Sequence, residues 1–518
     1  LLIFLGSVYV GGALAVWLQY RILNIAGQRT VANLRKDLFV KMERLPLQFF
    51  DTHQHGELMS RFTNDMDRVS EVLTETLSDM LTNVLSLIGV FVMMLYISPL
   101  LTLTTVIMVP LMLLLARLVV KKSKYYFRGQ QKSLGEINGY VEEIITGQKT
   151  VKVFCHEKVA EEEFDVFNKN LKEKAKKAQL FSGLMMPLMQ NLNTLNFVIV
   201  SIVGGLLAIL RGFDLGGLAA FLQYSRQFGR PINELSAQYN TLQAAIAGAE
   251  RIFRLMDELP EGTQETVKSI PLKNEIRGDI TFDHVHFSYV PDVPVLKDLS
   301  LHAVPGKKIA LVGSTGAGKT TIFNVLPRFY DISSGEITID GMAQNQINRS
   351  ELRRSMALVL QDTHLFTGSV MENIRYGKLD ATDEEVVAAA KLAAAHTFIE
   401  KLPKGYQTEL KDDASNLSQG QRQLLNIARA AIADPPILLL DEATSDIDSR
   451  TELLIQKGMD RLMKGRTSLI IAHRLSTVKN ADEILVIENG MIVERGNHSE
   501  LLAKKGRYYQ LYTEAEES

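Results

Sequence analysis

Hydrophobic and polar positions fall into two regimes along the chain. Residues 1–20 (LLIFLGSVYVGGALAVWLQY) carry no charge and have about the 20-residue length that a helix needs to cross a hydrocarbon core. A secretory leader would show a basic start and a small-residue cleavage site; this stretch has neither and predicts a spanning helix. Residues 80–97 and 101–120 form two further apolar runs. They are separated by Ser98, Pro99 and Leu100, a spacing that predicts a tight turn in a helical hairpin, with Pro110 kinking the later run. A fourth run, residues 184–210, ends in the polar turn Arg211, Gly212, Phe213, Asp214.

The fifth stretch, residues 217–253, is mixed. Gln223, Gln227, Arg230, Glu234, Gln238 and Thr241 recur at three- or four-residue steps and share one helical face. Such a stripe lines a wet pathway at membrane depth, or it belongs to a helix that has left the bilayer by Arg230. Gln190, Asn191, Asn193 and Asn196 of the fourth run leave a similar choice, between a cavity lining and hydrogen bonds to neighbouring helices.

Charge orients these stretches. Arg21, Arg29, Arg35, Lys36, Lys41 and Arg44 follow the first run, and Lys121, Lys122, Lys124 and Arg128 follow the third, whereas the two tight turns carry almost nothing basic. Basic connections stay in the cytosol. Everything after the fifth stretch is then cytosolic and Leu1 lies outside, for which the economical explanation is one further helix ahead of Leu1. The long connections read as helices continuing out of the bilayer and reversing at residues 45–51 and 151–164. Phe49, Phe50 and Phe154 there offer apolar surface for a soluble domain to dock on.

From about residue 272 the pattern changes to short strands alternating with helices. Residues 280–287 alternate as a strand does, and residues 309–312 form an apolar strand that runs into GSTGAGKT and then a helix. That is the context of a phosphate loop. Gly313, Gly316 and Gly318 let backbone N–H groups close on a β-phosphate, Lys319 reaches the β- and γ-phosphates, and Thr320 supplies a magnesium ligand. Residues 437–440 form a second apolar strand that ends in Asp441 and Glu442. Asp441 is placed to hold magnesium through water, and Glu442 to orient or deprotonate the attacking water. His473 follows the apolar strand 468–472 and emerges at the same edge, within reach of the γ-phosphate and the water. LSQGQRQ at 417–423 opens a helix with Ser418 as N-cap. A helix start attracts phosphate, but this one lies about a hundred residues beyond the phosphate loop, so it serves the nucleotide of another chain.

Composition narrows the field. With 518 residues the chain holds two or three domains, and a formal net charge of −2 argues against a nucleic-acid partner. Cys155 is the single cysteine, which excludes an internal disulfide framework and suits a cytosolic position.

The set GSTGAGKT, Gln361, LSQGQ, LLLDE and His473 resembles an ATP-binding cassette (ABC). Its position behind a multispan region resembles the exporters of that superfamily, of the bacterial lipid and multidrug half-transporter type. The resemblance covers essentially the whole chain: residues 45–65 (LPLQFFDTHQHGELMSRFTND) are similar to the first intracellular loop of such exporters, and residues 151–164 (VKVFCHEKVAEEEF) to the second, which implies coupling helices in both. It further implies that ATP is bound by Tyr289, Gly313, Ser314, Thr315, Gly316, Ala317, Gly318, Lys319, Thr320 and Thr321. Tyr289 would stack on adenine. Ser418, Gly420 and Gln421 would contact the partner's nucleotide, Mg²⁺ would sit at Thr320, Gln361 and Asp441, and Glu442, His473 and Gln361 would act in hydrolysis. Residues 445–448 would meet the opposing phosphate loop. Six membrane helices per half-transporter agrees with a helix ahead of Leu1.

Some positions depart from that pattern. Gln419 replaces the first glycine of the signature, and Lys411, Asp412 and Ala414 stand where the exporters commonly show Gly, Glu and Gly. Pro327 falls within the helix after the phosphate loop, so that helix ends early or is distorted in its last turn.

The expected architecture is a multidomain one: an all-α polytopic membrane domain of the type I ABC exporter kind over residues 1–260, a linker over 261–275, and an α/β P-loop NTPase domain with a helical subdomain over 276–518. The expected activity is ATP-driven export or flipping of a lipid or amphipathic small molecule across a bacterial cytoplasmic (inner) membrane, with the ATP domain in the cytosol. A second half-transporter, identical or different, would complete the machine, with ATP and Mg²⁺ as cofactors. A peptide exporter, or an ATP-gated channel or sensor on the same frame, are the alternatives.

Overall fold

A computed structural model of the chain describes residues 1–263, 275–361, 363–411, 413–441, 448–472 and 475–517. It divides into two compact units. One comprises Leu1–Glu43 and His55–Glu258, and the other Arg44–Gln54 and Leu259–Ser518.

The first unit is all helix. Among the described residues, four helical stretches are long and apolar enough to cross a membrane: Leu2–Met42, His55–Ile97, Pro99–Thr146 and Glu157–Arg211. Their apolar side chains, Phe4, Trp17, Ile88 and Ile202 among them, are largely exposed, as lipid-facing residues are. Leu215–Asp257 is a further continuous helix of 43 residues, more polar than these four.

The first hairpin turn is tighter than a three-residue link. Ser98 alone is extended, its hydroxyl accepts from the Leu101 N–H at 3.4 Å, and the next helix begins at Pro99, where the missing N–H does no harm. That helix continues through Pro110. The second turn has Gly212 in the left-handed region and Asp214 accepting from the Gly217 N–H at 2.7 Å.

The long connections between the apolar stretches are helical, as their sequence predicts, but the second reversal is displaced. It occupies Gln148–Val153 and the break at residues 154–156, where Cys155 takes a φ of 53°, so residues 157–164 already belong to the returning helix Glu157–Gly183.

Packing within the unit joins Val90, Met94, Leu101, Val200, Phe221 and Phe228. Of the polar positions in the fourth run, Gln190, Asn191 and Asn193 are exposed and Asn196 is buried, its amide donating to the Ser225 hydroxyl at 3.0 Å. The first part of the stripe on Leu215–Asp257, Gln223, Gln227 and Arg230, is exposed and lies away from the buried Phe221, Ser225 and Phe228, with Arg230 paired to Glu234 at 2.8 Å, whereas Gln238 and Thr241 are half-buried and share their face with buried Ala245. Buried Asp65 accepts two hydrogen bonds from Arg251, tying the second stretch to the fifth.

The second unit is built on strands β1 (Ile280–Phe287), β2 (Leu296–Ala303), β3 (Lys308–Val312), β4 (Ser334–Ile339), β5 (Met342–Ala343), β6 (Met356–Val359), β7 (Gly368–Ser369), β8 (Glu409–Leu410), β9 (Ile437–Asp441), β10 (Thr467–Ile471), β11 (Glu483–Glu488) and β12 (Met491–Gly496). An antiparallel sheet has the order β2-β1-β4-β5, and the main sheet the order β12-β11-β3-β10-β9-β6 with only β12 antiparallel. Helices and the antiparallel sheet bury both faces of the main sheet, so its strands are nearly continuous hydrophobic runs. Successive residues then divide between two cores: Ile309, Leu311, Leu439, Leu469 and Ile471 face one, with Phe282, Leu299 and Phe323, while Ala310, Leu438, Leu440 and Ile470 face the other, with Ala428 and Leu462. Between β6 and β9 a set of short helices, Val370–Arg375, Asp383–Leu392 and His396–Ile399, precedes the long helix Gln419–Ala433.

Candidate nucleotide site

Parallel strands carry all their loops of one kind to one edge, and here the phosphate loop and an acidic residue meet there. Ile471 on β10 pairs with Leu311 of β3 on one side and with Asp441 of β9 on the other. Val359 pairs with Leu440, so Gln361 leaves from the same edge and is exposed.

Gly313 leaves β3 at a φ of +154°, and a Cβ on it would lie 2.1 Å from the Ile487 carbonyl oxygen, so no other residue fits. Gly318 has a φ of +104°, which favours glycine, and a Cβ on it would lie 3.0 Å from Leu296 Cδ2. Between them Ser314, Thr315 and Gly316 are exposed, while Ala317 is buried, its carbonyl accepting from the Gly490 N–H at 3.1 Å.

Helix Lys319–Val325 starts directly after the loop. Lys319 is only 7% exposed and donates to the carbonyls of Gly313 at 2.7 Å and Ser314 at 2.9 Å, folding the loop around its own ammonium. Burial lowers its pKa, and the Asp441 carboxylate offsets part of that effect. Thr320 turns to the surface and Thr321 inward. The helix ends at Val325 with Leu326 as cap, so Pro327 falls outside it; the early ending is what the proline produces. Arg328 follows in the left-handed region at φ 55°.

Tyr289 is half-buried and stands edge-on to Phe287 and Tyr330, with ring centroids 4.7 and 5.0 Å away. Its hydroxyl donates to Thr321 Oγ1 at 3.3 Å and accepts from Asn324 Nδ2 at 2.8 Å. Tyr330 in turn donates to the Asp51 carboxylate, and the Glu261 N–H donates to the Arg44 carbonyl at 2.7 Å, so the segment Arg44–Gln54 is bonded to this unit at two places. Burial first, then the hydrogen bond and charge of Asp51, push the Tyr330 hydroxyl well above the usual tyrosine range. Tyr330 and Asn324 lie in no motif, and the loop string that contains Asp51 does not announce its partner; Asp51 and Tyr330 are 279 residues apart and only the fold pairs them.

The LSQGQ string is separate from this edge in its local structure. Ser418 caps Gln419–Ala433 through a reciprocal box: its Oγ accepts from the Gln421 N–H at 3.3 Å, and Gln421 Oε1 accepts from the Ser418 N–H at 3.0 Å. Ser418 is exposed with its O–H left to donate, Gly420 is buried and Gln421 half-buried. Ahead of the string, Asp413 and Ala414 both have positive φ, 55° and 56°. Glu442, Ser445, Asp446, His473 and Asp412 lie outside the described residues; Asp448 caps the helix Ser449–Met463.

Residues 1–232 match the family described as the ABC transporter transmembrane region, and residues 296–445 match the ABC transporter family. A fatty acid ABC transporter ATP-binding/permease protein of Mycobacterium tuberculosis is 46% identical over 505 residues, which cover 98% of this chain and 79% of the relative. An ATP-dependent lipid A-core flippase of Legionella pneumophila is 38% identical over 487 residues, 92% of this chain and 81% of the relative. A solved bacterial Atm1-family ABC exporter with ATP bound superposes with a TM-score of 0.76 at 30% identity, covering 98% of this chain and 88% of that one. With long apolar helices on one side of the sequence and a nucleotide-binding ATPase on the other, the chain belongs to the ABC transporter family, as a membrane exporter of the kind that works as a dimer and couples ATP hydrolysis to transport.

Proposed function

We propose that this chain is half of a dimeric exporter that moves a lipid or amphipathic small molecule across the cytoplasmic membrane, with ATP·Mg²⁺ held between the phosphate loop of one subunit and the LSQGQ string of the other. The observation that carries the reading is the convergence of the loop from Gly313 to Lys319 with Asp441 at one sheet edge, while Ser418 presents a capped helix start elsewhere on the same unit. Mg²⁺ takes one or two protein oxygens and completes its shell with phosphate and water, and the Thr320 hydroxyl and Asp441 carboxylate are such a donor set. When bound, the ion would neutralise charge developing on the phosphates. Lys319 would bind the β- and γ-phosphates, Thr321 and the loop N–H groups would orient them, Tyr289 would hold adenine, and Glu442 would take the proton of the attacking water, with Gln361 and His473 alongside.

The relatives named above act on a fatty acid and on lipid A-core, both amphipathic, and this favours a lipid cargo. The domain limits that fit this reading are residues 1–260 and 276–518. Phe154, 66% exposed, suits an apolar contact with the partner's ATPase. The test is ATP hydrolysis and lipid export by the transporter in proteoliposomes. Glu442→Gln should abolish both while leaving ATP binding intact; unchanged turnover would remove Glu442 from the mechanism.

A further inference from the structure

In the membrane unit a small cavity of 50 Å³ opens between Pro99–Thr146, Met185–Arg211 and Leu215–Asp257. Asn196 borders it. The residue is 4% exposed, its amide nitrogen is engaged by Ser225, and its carbonyl Oδ1 is buried with no hydrogen-bond partner among the described residues. A bare buried acceptor is unfavourable even beside other neutral polar side chains, here Thr105, Asn193 and Asn233, and native structures seldom keep one without a use. Asn193 reaches the same cavity over Gly229, where any side chain would start 3.3 Å from the Asn193 carbonyl oxygen.

We propose that Asn196 and this cavity form an intramembrane subsite for an amphipath whose head is neutral and donates a hydrogen bond, a fatty alcohol or a protonated fatty acid. Two features select that class. The unpartnered group is an acceptor, so it takes a donor. None of the lining residues is charged, and an ionised carboxylate or phosphate brought there would lose its hydration without a counter-charge. Val109, Met112, Met189, Phe228 and Ile232 form the apolar part of the wall and suit the first carbons of an alkyl chain, with methionine adapting to its path.

The subsite rests on the amphipath-export reading, and its test separates the two. The full-length transporter in nanodiscs is titrated with radiolabelled 1-dodecanol, competed by methyl dodecanoate, which has no O–H, and by dodecanoic acid across a pH series. Dodecanol should bind at least about fivefold more tightly than the ester, the value of one neutral hydrogen bond. Asn196→Leu should remove that difference, and Gly229→Ala, which keeps Asn196 and narrows the cavity, should weaken both ligands. Dodecanoic acid should compete only where it is protonated, while dodecanol binding stays independent of pH. Equal binding of alcohol and ester, an alcohol preference that survives Asn196→Leu, or competition by the ionised acid would each overturn the subsite. Lipid export measured on the same preparation reports on the wider reading: export with no alcohol preference rejects the subsite alone, and absence of export rejects the proposed function.

Discussion

The Tyr289 hydroxyl donates to the Thr321 hydroxyl at 3.3 Å, joining the aromatic residue expected over adenine to the first turn of the phosphate-loop helix. Asn324, one turn on, donates back to the same oxygen at 2.8 Å. For the ring to move onto a base, these two bonds must be given up.

Tyr289→Phe keeps the ring and removes that restraint. Its KM for ATP should fall by about threefold, within the range of one neutral hydrogen bond. Tyr289→Ala removes the ring too and should raise KM. ATP titrations of hydrolysis by both variants check the pair; a Phe variant with weakened ATP binding would mean the hydroxyl itself contacts nucleotide.

Lys319 makes ATP binding and stability respond to pH in opposite directions. Burial lowers its folded pKa below the ordinary 10.5, so between the two values the unfolded chain binds more protons and the nucleotide-free fold gains stability as pH rises. Phosphate binding needs the ammonium, so ATP affinity should fall through the same window, with proton uptake on binding. Calorimetry in two buffers of different ionisation enthalpy measures that uptake, and Lys319→Ala should abolish it.

Ala414 holds a left-handed conformation, φ 56°, while 1% exposed, at a position where the resembling exporters commonly carry glycine. A Cβ in that region costs about 1 kcal/mol. Ala414→Gly should therefore raise the melting temperature of the ATPase unit by less than about 2–4 °C, the full value of that strain, because the extra freedom of glycine in the unfolded chain offsets part of the gain. Differential scanning calorimetry reads it directly, and the helix start at Ser418, four residues past Ala414, should be unaltered.

Tyr330 donates to the Asp51 carboxylate and packs edge-on to Tyr289, so the segment Arg44–Gln54 and the candidate adenine position share one residue. Tyr330→Phe retains the packing and loses the bond. Transport per ATP should drop by about fivefold, at the weak end of coupling free energies, with the ATP KM nearly unchanged. Asp51→Asn, which can still accept, should lose less. A proportional fall of hydrolysis and transport would show that the bond supports stability and carries no coupling.

Local pattern was enough wherever one element's own residues decide its form. The uncharged run at residues 1–20, the strand–loop–helix around Lys319, the Ser418 cap and the early helix end at Pro327 depend on neighbours within a few positions, and the structure has them. Periodicity also explains why β3, β9 and β10 are apolar throughout: each is buried on both faces. It fell short at the second reversal, because the amphipathic pattern of residues 157–164 is the same whether the turn comes before or after it.

Pairings between distant residues were of another kind. Nothing in the order of residues tells Tyr330 to find Asp51, sets Asp441 across one strand from the phosphate loop, or leaves the Asn196 carbonyl facing a cavity while its amide meets Ser225. Composition dictated a membrane half and a nucleotide half because hydrophobic length and glycine-loop chemistry are local properties. Strand order and helix packing decided which side chains meet, since those contacts are selected by the burial of whole faces and not by any one residue's preference.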